Sequence, residues 1–236
     1  METMKQIMYG VTDFARIRAE NGYFVDRTAL IRELEKTSYA MFLRPRRFGK
    51  SLLCSILQCY YDIDYAGRFE EFFGGLDIGR EPTAERGKYL FIDFNFTGVE
   101  KRIDRVQDSF NEYCSERLDV FVERQAGRLP EGTTAAVLAK RTCHEKFNTL
   151  TMRLKGSGLA LYITIDEYDN FTNTILAESR ESYEALCHGD GFFKQFFNEL
   201  KLATTGTDAP VTRLFVTGVT PVTMDDVTSG FNIASN

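Results

Sequence analysis

The sequence predicts an α/β protein with a mostly parallel sheet and helices on both of its faces. Short apolar runs at Tyr39–Leu43, 88–96, 159–165 and 211–219 read as buried strands. Longer stretches with helical spacing of apolar residues alternate with them, and that alternation calls for parallel strands joined by crossover helices. The first run stops at a basic turn, where Gly49-Lys50-Ser51 opens a helical stripe.

Residues 1–37 read as a lead-in segment. Phe14 and Ile17 suggest a short amphipathic turn, and Asp26 or Thr28 is placed to cap a helix carrying Leu30, Ile31 and Leu34. A core follows over residues 38–236. After the first strand, Leu52, Leu53, Ile56, Leu57 and Tyr60 form a helical stripe. Residues 67–87 read as a connector rich in glycine and charge, with an aromatic patch at Phe69, Phe72 and Phe73. Beyond the second strand, residues 102–125 form a long amphipathic helix, residues 129–132 break it, and residues 134–155 form another. After the third strand, residues 170–191 are polar and read as a loop with a short helix around 181–186. Phe192, Phe193, Phe196, Phe197 and Leu200 mark a last helical face before the fourth strand. Such stripes are packing faces rather than cofactor boxes. The chain ends at Asn236 soon after that strand, so a longer protein is expected to continue beyond it.

Composition narrows the classes. The 236 residues are 43% hydrophobic and 27% charged, as in an ordinary globular domain. A net charge of -5 argues against a broad polyanion-binding face. There is no Trp, so 20 Phe and 11 Tyr must carry much of the packing. Five cysteines without a C-x-x-C pair, together with two histidines, argue against a disulfide framework and a histidine-based metal site. They predict a reducing cytoplasm. Residues 1–10 have no signal-peptide core, and no apolar run approaches a membrane span.

The stretch from Arg44 through Pro45, Arg46, Arg47, Phe48, Gly49, Lys50, Ser51 and Leu52 is the candidate nucleotide-binding segment. Backbone N–H groups of a loop closing onto a helix N-terminus point at phosphate, and the helix dipole favours the negative charge. Lys50 would reach the β- and γ-phosphates, and the Ser51 hydroxyl would hold Mg²⁺. The usual pattern, G-x-x-x-x-G-K-[ST], has glycine where this chain has Arg44. Because Arg44 precedes Pro45 it favours extended geometry, so the strand should run on through it and residues 46–48 should make the turn.

The third strand ends in Asp166-Glu167, the partner such a loop requires. Asp166 would hold Mg²⁺, directly or through water, and Glu167 would act as base on the attacking water. Asp169 is placed to help shape the site. Asp93, at the end of the second run, is a rival that lacks an adjacent Glu, and a buried, satisfied Asp is the preferred reading for it. Thr217, Gly218 and Thr220 lie at the carboxyl end of the fourth strand, where ligands bind in open parallel sheets. Thr217 is a candidate for contact with the nucleotide. Tyr23 and Phe24 are read as core packing ahead of contact with its base.

These residues together resemble a family of bacterial AAA-ATPase-like proteins. The string Arg44-Pro45-Arg46-Arg47-Phe48-Gly49-Lys50-Ser51 is similar to its hallmark loop, which itself carries arginine at the first glycine position. Ile165-Asp166-Glu167-Tyr168-Asp169 resembles its I-D-E-Y-D motif. Tyr23-Phe24-Val25-Asp26-Arg27-Thr28 resembles its Y-x-V-D-K-T segment, with Arg27 in place of lysine. Phe215-Val216-Thr217-Gly218-Val219-Thr220-Pro221 and Phe231-Asn232-Ile233-Ala234 resemble later segments. The resemblance implies a P-loop NTPase of the additional-strand class, with the acidic strand between the loop strand and its neighbour. It also implies ATP and Mg²⁺ as ligands, and a C-terminal nuclease-like domain in a longer protein, through which nucleic acid would be met.

An ATP-binding, ATP-hydrolysing module is therefore the leading expectation, with Lys50, Asp166 and Glu167 as catalytic residues. A nucleotide-binding switch with little turnover is the alternative, with any missing arginine supplied by a neighbouring subunit of a homo-oligomer. A nucleic-acid-binding module using the basic turn is a third reading, which the net charge disfavours.

Overall fold

The computed structural model describes residues 5–227. Its sheet comprises Tyr39–Leu43 (β1), Leu90–Asn95 (β2), Leu161–Asp166 (β3) and Val211–Gly218 (β4), in the order β1-β4-β3-β2. All three pairings are parallel. The acidic strand β3 is not beside the loop strand, as the resemblance had suggested; β4 lies between them. Burial explains the order. Every residue of β3 and most of β4 are buried, which suits central positions, whereas β1 buries only Ala40 and takes an edge.

Crossover geometry then assigns the helices to faces. The step from β1 to β2 runs across the sheet in one direction, and the steps from β2 to β3 to β4 run back. With right-handed crossovers, that reversal places the two sets of helices on opposite faces. The early set is Phe14–Ala19 (α1), Leu30–Leu34 (α2), Lys50–Tyr61 (α3), Phe69–Phe73 (α4) and Asp77–Arg80 (α5). Their buried side chains pack with Ala40, Phe91, Tyr162 and Phe215 of the sheet. The later set is Val106–Arg124 (α6), Thr133–Leu138 (α7), Cys143–Leu154 (α8), Asn170–Glu178 (α9), Arg180–Cys187 (α10) and Phe192–Ala203 (α11). These helices bury the alternate strand residues, among them Ile92, Phe94, Ile163, Ile165, Leu214 and Val216. Val222–Val227 (α12) follows β4.

Several local expectations change. The connector over 67–87 holds α4 and α5, whose Phe69, Phe72, Phe73 and Ile78 are core residues. The helix expected over 134–155 is two helices. Thr142 interrupts it by capping α8 in a reciprocal box with Glu145. Residues 170–191 are mostly helical, and Ser179 separates α9 from α10 by accepting the Ser182 N–H. Neither Asp26 nor Thr28 caps α2; Asp26 instead accepts the N–H groups of Thr28 and Asp77. The aromatic core centres on Phe96, whose ring meets Phe110, Phe171, Phe193 and Phe196 within about 6 Å between centroids.

The loop leaving β1 enters a helix on one face, and the segment leaving β3 enters a helix on the other. That divergence opens a crevice at the carboxyl edge of the sheet.

Candidate active site

The loop after β1 is shaped by residues 44–49. Arg44 extends the strand by one bond, its N–H donating to the Gly218 carbonyl at 3.2 Å. Pro45 follows, and the chain then turns through Arg46 and Arg47. Arg47 (φ 69°) and Gly49 (φ 79°) both adopt left-handed conformations. At Gly49 the backbone angle is the requirement, since a Cβ there would meet nothing within 4 Å. Gly49 is also the N-cap of α3, and no side chain caps that helix. The first N–H groups of α3 therefore lack both intrahelical and side-chain acceptors, the arrangement that accepts an anion.

Lys50 is 4% exposed. Its ammonium donates to the carbonyls of Arg44 at 3.2 Å and Pro45 at 3.4 Å, and Glu167 Oε1 lies 3.4 Å away. A buried charge needs such partners. The Arg44 guanidinium turns back over the Phe42 ring at 4.9 Å and donates to the Leu43 carbonyl. Arg46, Arg47 and Phe48 are exposed on the outside of the turn.

Asp166 ends β3 and is nearly buried. Its Oδ1 accepts the Thr217 hydroxyl at 2.6 Å, and its Oδ2 accepts the Asn95 amide at 3.2 Å. Glu167 is left-handed (φ 54°), a conformation that costs a non-glycine residue of the order of 1 kcal/mol or more. It carries its carboxylate to Lys50. Tyr168 and Asp169 then clamp the end of β4. The Asp169 carboxylate accepts the N–H groups of Val219 and Thr220, the Thr220 hydroxyl and the Asn173 amide. The Tyr168 hydroxyl donates to the Thr220 carbonyl.

Between α3 and the sheet lies a polar cavity of about 210 Å³. One face of α3 lines it with Ser51, Cys54, Ser55 and Gln58, and the strands line it with Asp93, Asn95, Thr164 and Asp166. Burial, then the charges of Asp166 and Asp93, raise the Cys54 thiol well above its ordinary value, which keeps it a neutral thiol here. Among the described residues no group of three or more His, Cys, Asp or Glu side chains is placed to hold a metal.

The structure thus brings Lys50 to Glu167, Thr217 to Asp166, and Ser51 and Asp166 to one cavity. Leu52 faces the other side of α3. Asp93 is offset from the acidic pair: register sets it beside Thr164, while Asn95 stands beside Asp166. Asp93 is instead ion-paired with Arg117 of α6. Asn95 and Arg117 were not singled out as site residues from the sequence. Asn95 had a usable signal, since it ends a strand on the same face as Asp93. Tyr23 is exposed, not in the core, while Phe24 packs on Phe14 at 5.2 Å between ring centroids. The segment from Phe231 to Ala234 lies outside the described residues.

A strand, a left-handed glycine and a buried lysine opening a helix, set against an acidic pair on a parallel strand, define an α/β protein of P-loop-like architecture. More particularly, the chain belongs to the AAA-ATPase-like family, described as predicted AAA-ATPase, whose model matches residues 8–228. Membership supports an ATP-binding role. No curated protein and no solved structure matches the chain significantly. No helix among the described residues is long and apolar enough to cross a membrane.

Proposed function

We propose that this chain is an ATP-binding module that hydrolyses ATP with Mg²⁺. The observation that carries the reading is Lys50, held at an uncapped helix N-terminus 3.4 Å from Glu167. Its fold reading is the additional-strand class of P-loop proteins, corrected in strand order: the extra strand is β4, and it separates the loop strand β1 from the acidic strand β3. The N–H groups opening α3 and the Lys50 ammonium would bind the phosphates.

The donor set fits Mg²⁺. Ser51 and Asp166 offer oxygen ligands, and each Asp166 oxygen keeps a lone pair beyond its one hydrogen bond. Few protein ligands is the usual mode for this ion, with phosphate and water supplying the rest. When bound, Mg²⁺ would neutralise charge on the phosphates. Thr217 and Asn95 hold the Asp166 carboxylate in orientation. Glu167, once Lys50 has moved to phosphate, is free to take a proton from the attacking water.

A switch with little turnover is the second reading, and the Lys50–Glu167 pair favours it, because the base is engaged while the lysine holds it. Phosphate release separates the readings. Hydrolysis predicts Mg²⁺-dependent release by the native chain and a fall of about 100-fold or more in Glu167→Gln and Lys50→Ala. Equal rates in all three proteins would exclude catalysis at this site.

A further inference from the structure

A second cleft adjoins the loop. It measures about 390 Å³, in the size range of small-molecule sites, and most of its lining is apolar. One wall is the lead-in segment, with Phe24, Val25, Leu30 and Leu34. Phe48 of the loop and Leu52 of α3 also line the cleft. Val25, Leu30 and Phe48 remain 58%, 60% and 65% exposed, an unusual density of bare apolar surface around one opening. Two polar side chains line the cleft, Thr28 and Arg27. Thr28 is already engaged, donating its hydroxyl proton to Asp26 and accepting the Ile78 N–H. Arg27 is exposed and forms no ion pair among the described residues, so its donors are available to a ligand.

We propose that this cleft receives the heterocyclic base of the nucleotide whose phosphates lie on residues 49–51, with Arg27 donating to acceptors on the base edge. The inference rests on the ATP-binding reading above. Continuity with the loop selects the occupant. Phe48 and Gly49 belong to both loop and cleft, and Leu52 follows directly on Lys50 and Ser51. A ligand anchored by phosphate at the start of α3 has this apolar surface beside it. A flat ring covers such walls by stacking and contact, and a donor-only guanidinium suits ring nitrogens. The lead-in segment is then part of the nucleotide site.

Calorimetric titration with Mg²⁺ and either ATP or inorganic tripolyphosphate tests this. The native chain should bind ATP at least about tenfold more tightly than tripolyphosphate. Val25→Ser and Leu30→Ser, both exposed positions outside the phosphate loop, should each weaken ATP about five- to tenfold and leave tripolyphosphate unchanged. Arg27→Ala should do the same to a smaller extent. Equal binding of the two ligands by the native chain, or variants that weaken both alike, would overturn the base site while leaving the phosphate loop standing. Binding of neither ligand would overturn the ATP-binding reading itself. A dimer lost in both variants, with ATP affinity unchanged, would assign the cleft to a second copy of the chain and overturn the proposal.

Discussion

Individual residues at this site are held in costly states. Glu167 and Arg47 are left-handed without being glycine, and Lys50 is a nearly buried cation. Two of the three are held by neighbours: Lys50 by two carbonyls and a carboxylate, Glu167 by the Tyr168–Asp169 clamp that follows it. Gly218 shows how tight that clamp is. A Cβ there would run into the Tyr168 ring and the Asp169 carboxylate, and both residues are fully buried. Gly218→Ala should therefore cost about 1–3 kcal/mol of stability, read as a lower urea midpoint with an unchanged slope. A midpoint equal to that of the native chain would show that the β4 turn is not locked in this way. Residue identities in the loop and the acidic pair were legible because each motif is contiguous and bounded by apolar runs. The contact of Asn95 with Asp166 was not, because it depends on register between two strands whose sequences are separated by three helices.

At the scale of elements, the chain is fastened by buried polar groups at its joints. Asp62 ends α3 and caps the turn over residues 63–68 by accepting the Asp64 N–H at 3.0 Å. It is fully buried, one oxygen has no hydrogen-bond partner, and Arg124 stands 3.5 Å away. Burial wins over these favourable contacts and pushes its carboxyl from 3.8 up to about 6. A pKa raised on folding adds stability at low pH that is lost as pH rises through the folded value. The loss is of the order of 3 kcal/mol once the group is ionised. Urea titrations at pH 5 and pH 8 should show about 1–2 kcal/mol of this decline in the native chain, the rest falling below pH 5, and a smaller one in Asp62→Asn. The same decline in both proteins would locate the pH dependence elsewhere.

Four strands were readable from apolar runs bounded by polar turns. Helix α10 matches the short helix read around 181–186, but α9 was not readable, because its polar residues make the segment read as loop. The break between α7 and α8 was written in the sequence as Thr142-x-x-Glu145, but the apolar stripe running through it masked the signal.

For the whole molecule, the decisive feature is strand order. Inserting β4 between the loop strand and the acidic strand brings Thr217 onto Asp166 and lets Asp169 hold the β4 turn. No local pattern announces that order; it follows from burial of the central strands and the reversal of crossover direction. The result is one crevice with a cationic helix start on one side and carboxylates on the other, flanked by a polar cavity and an apolar cleft. The central claim is that this crevice binds a nucleoside triphosphate through Lys50, with Asp166 serving the metal. Its most direct test is calorimetric titration of ATP into the native chain, Lys50→Ala and Asp166→Asn, each with Mg²⁺ and with EDTA. The account predicts saturable binding by the native chain that weakens without Mg²⁺, a loss of about tenfold or more in Lys50→Ala, and weakened, Mg²⁺-insensitive binding in Asp166→Asn. Binding of equal strength in all three proteins, indifferent to Mg²⁺, would contradict it.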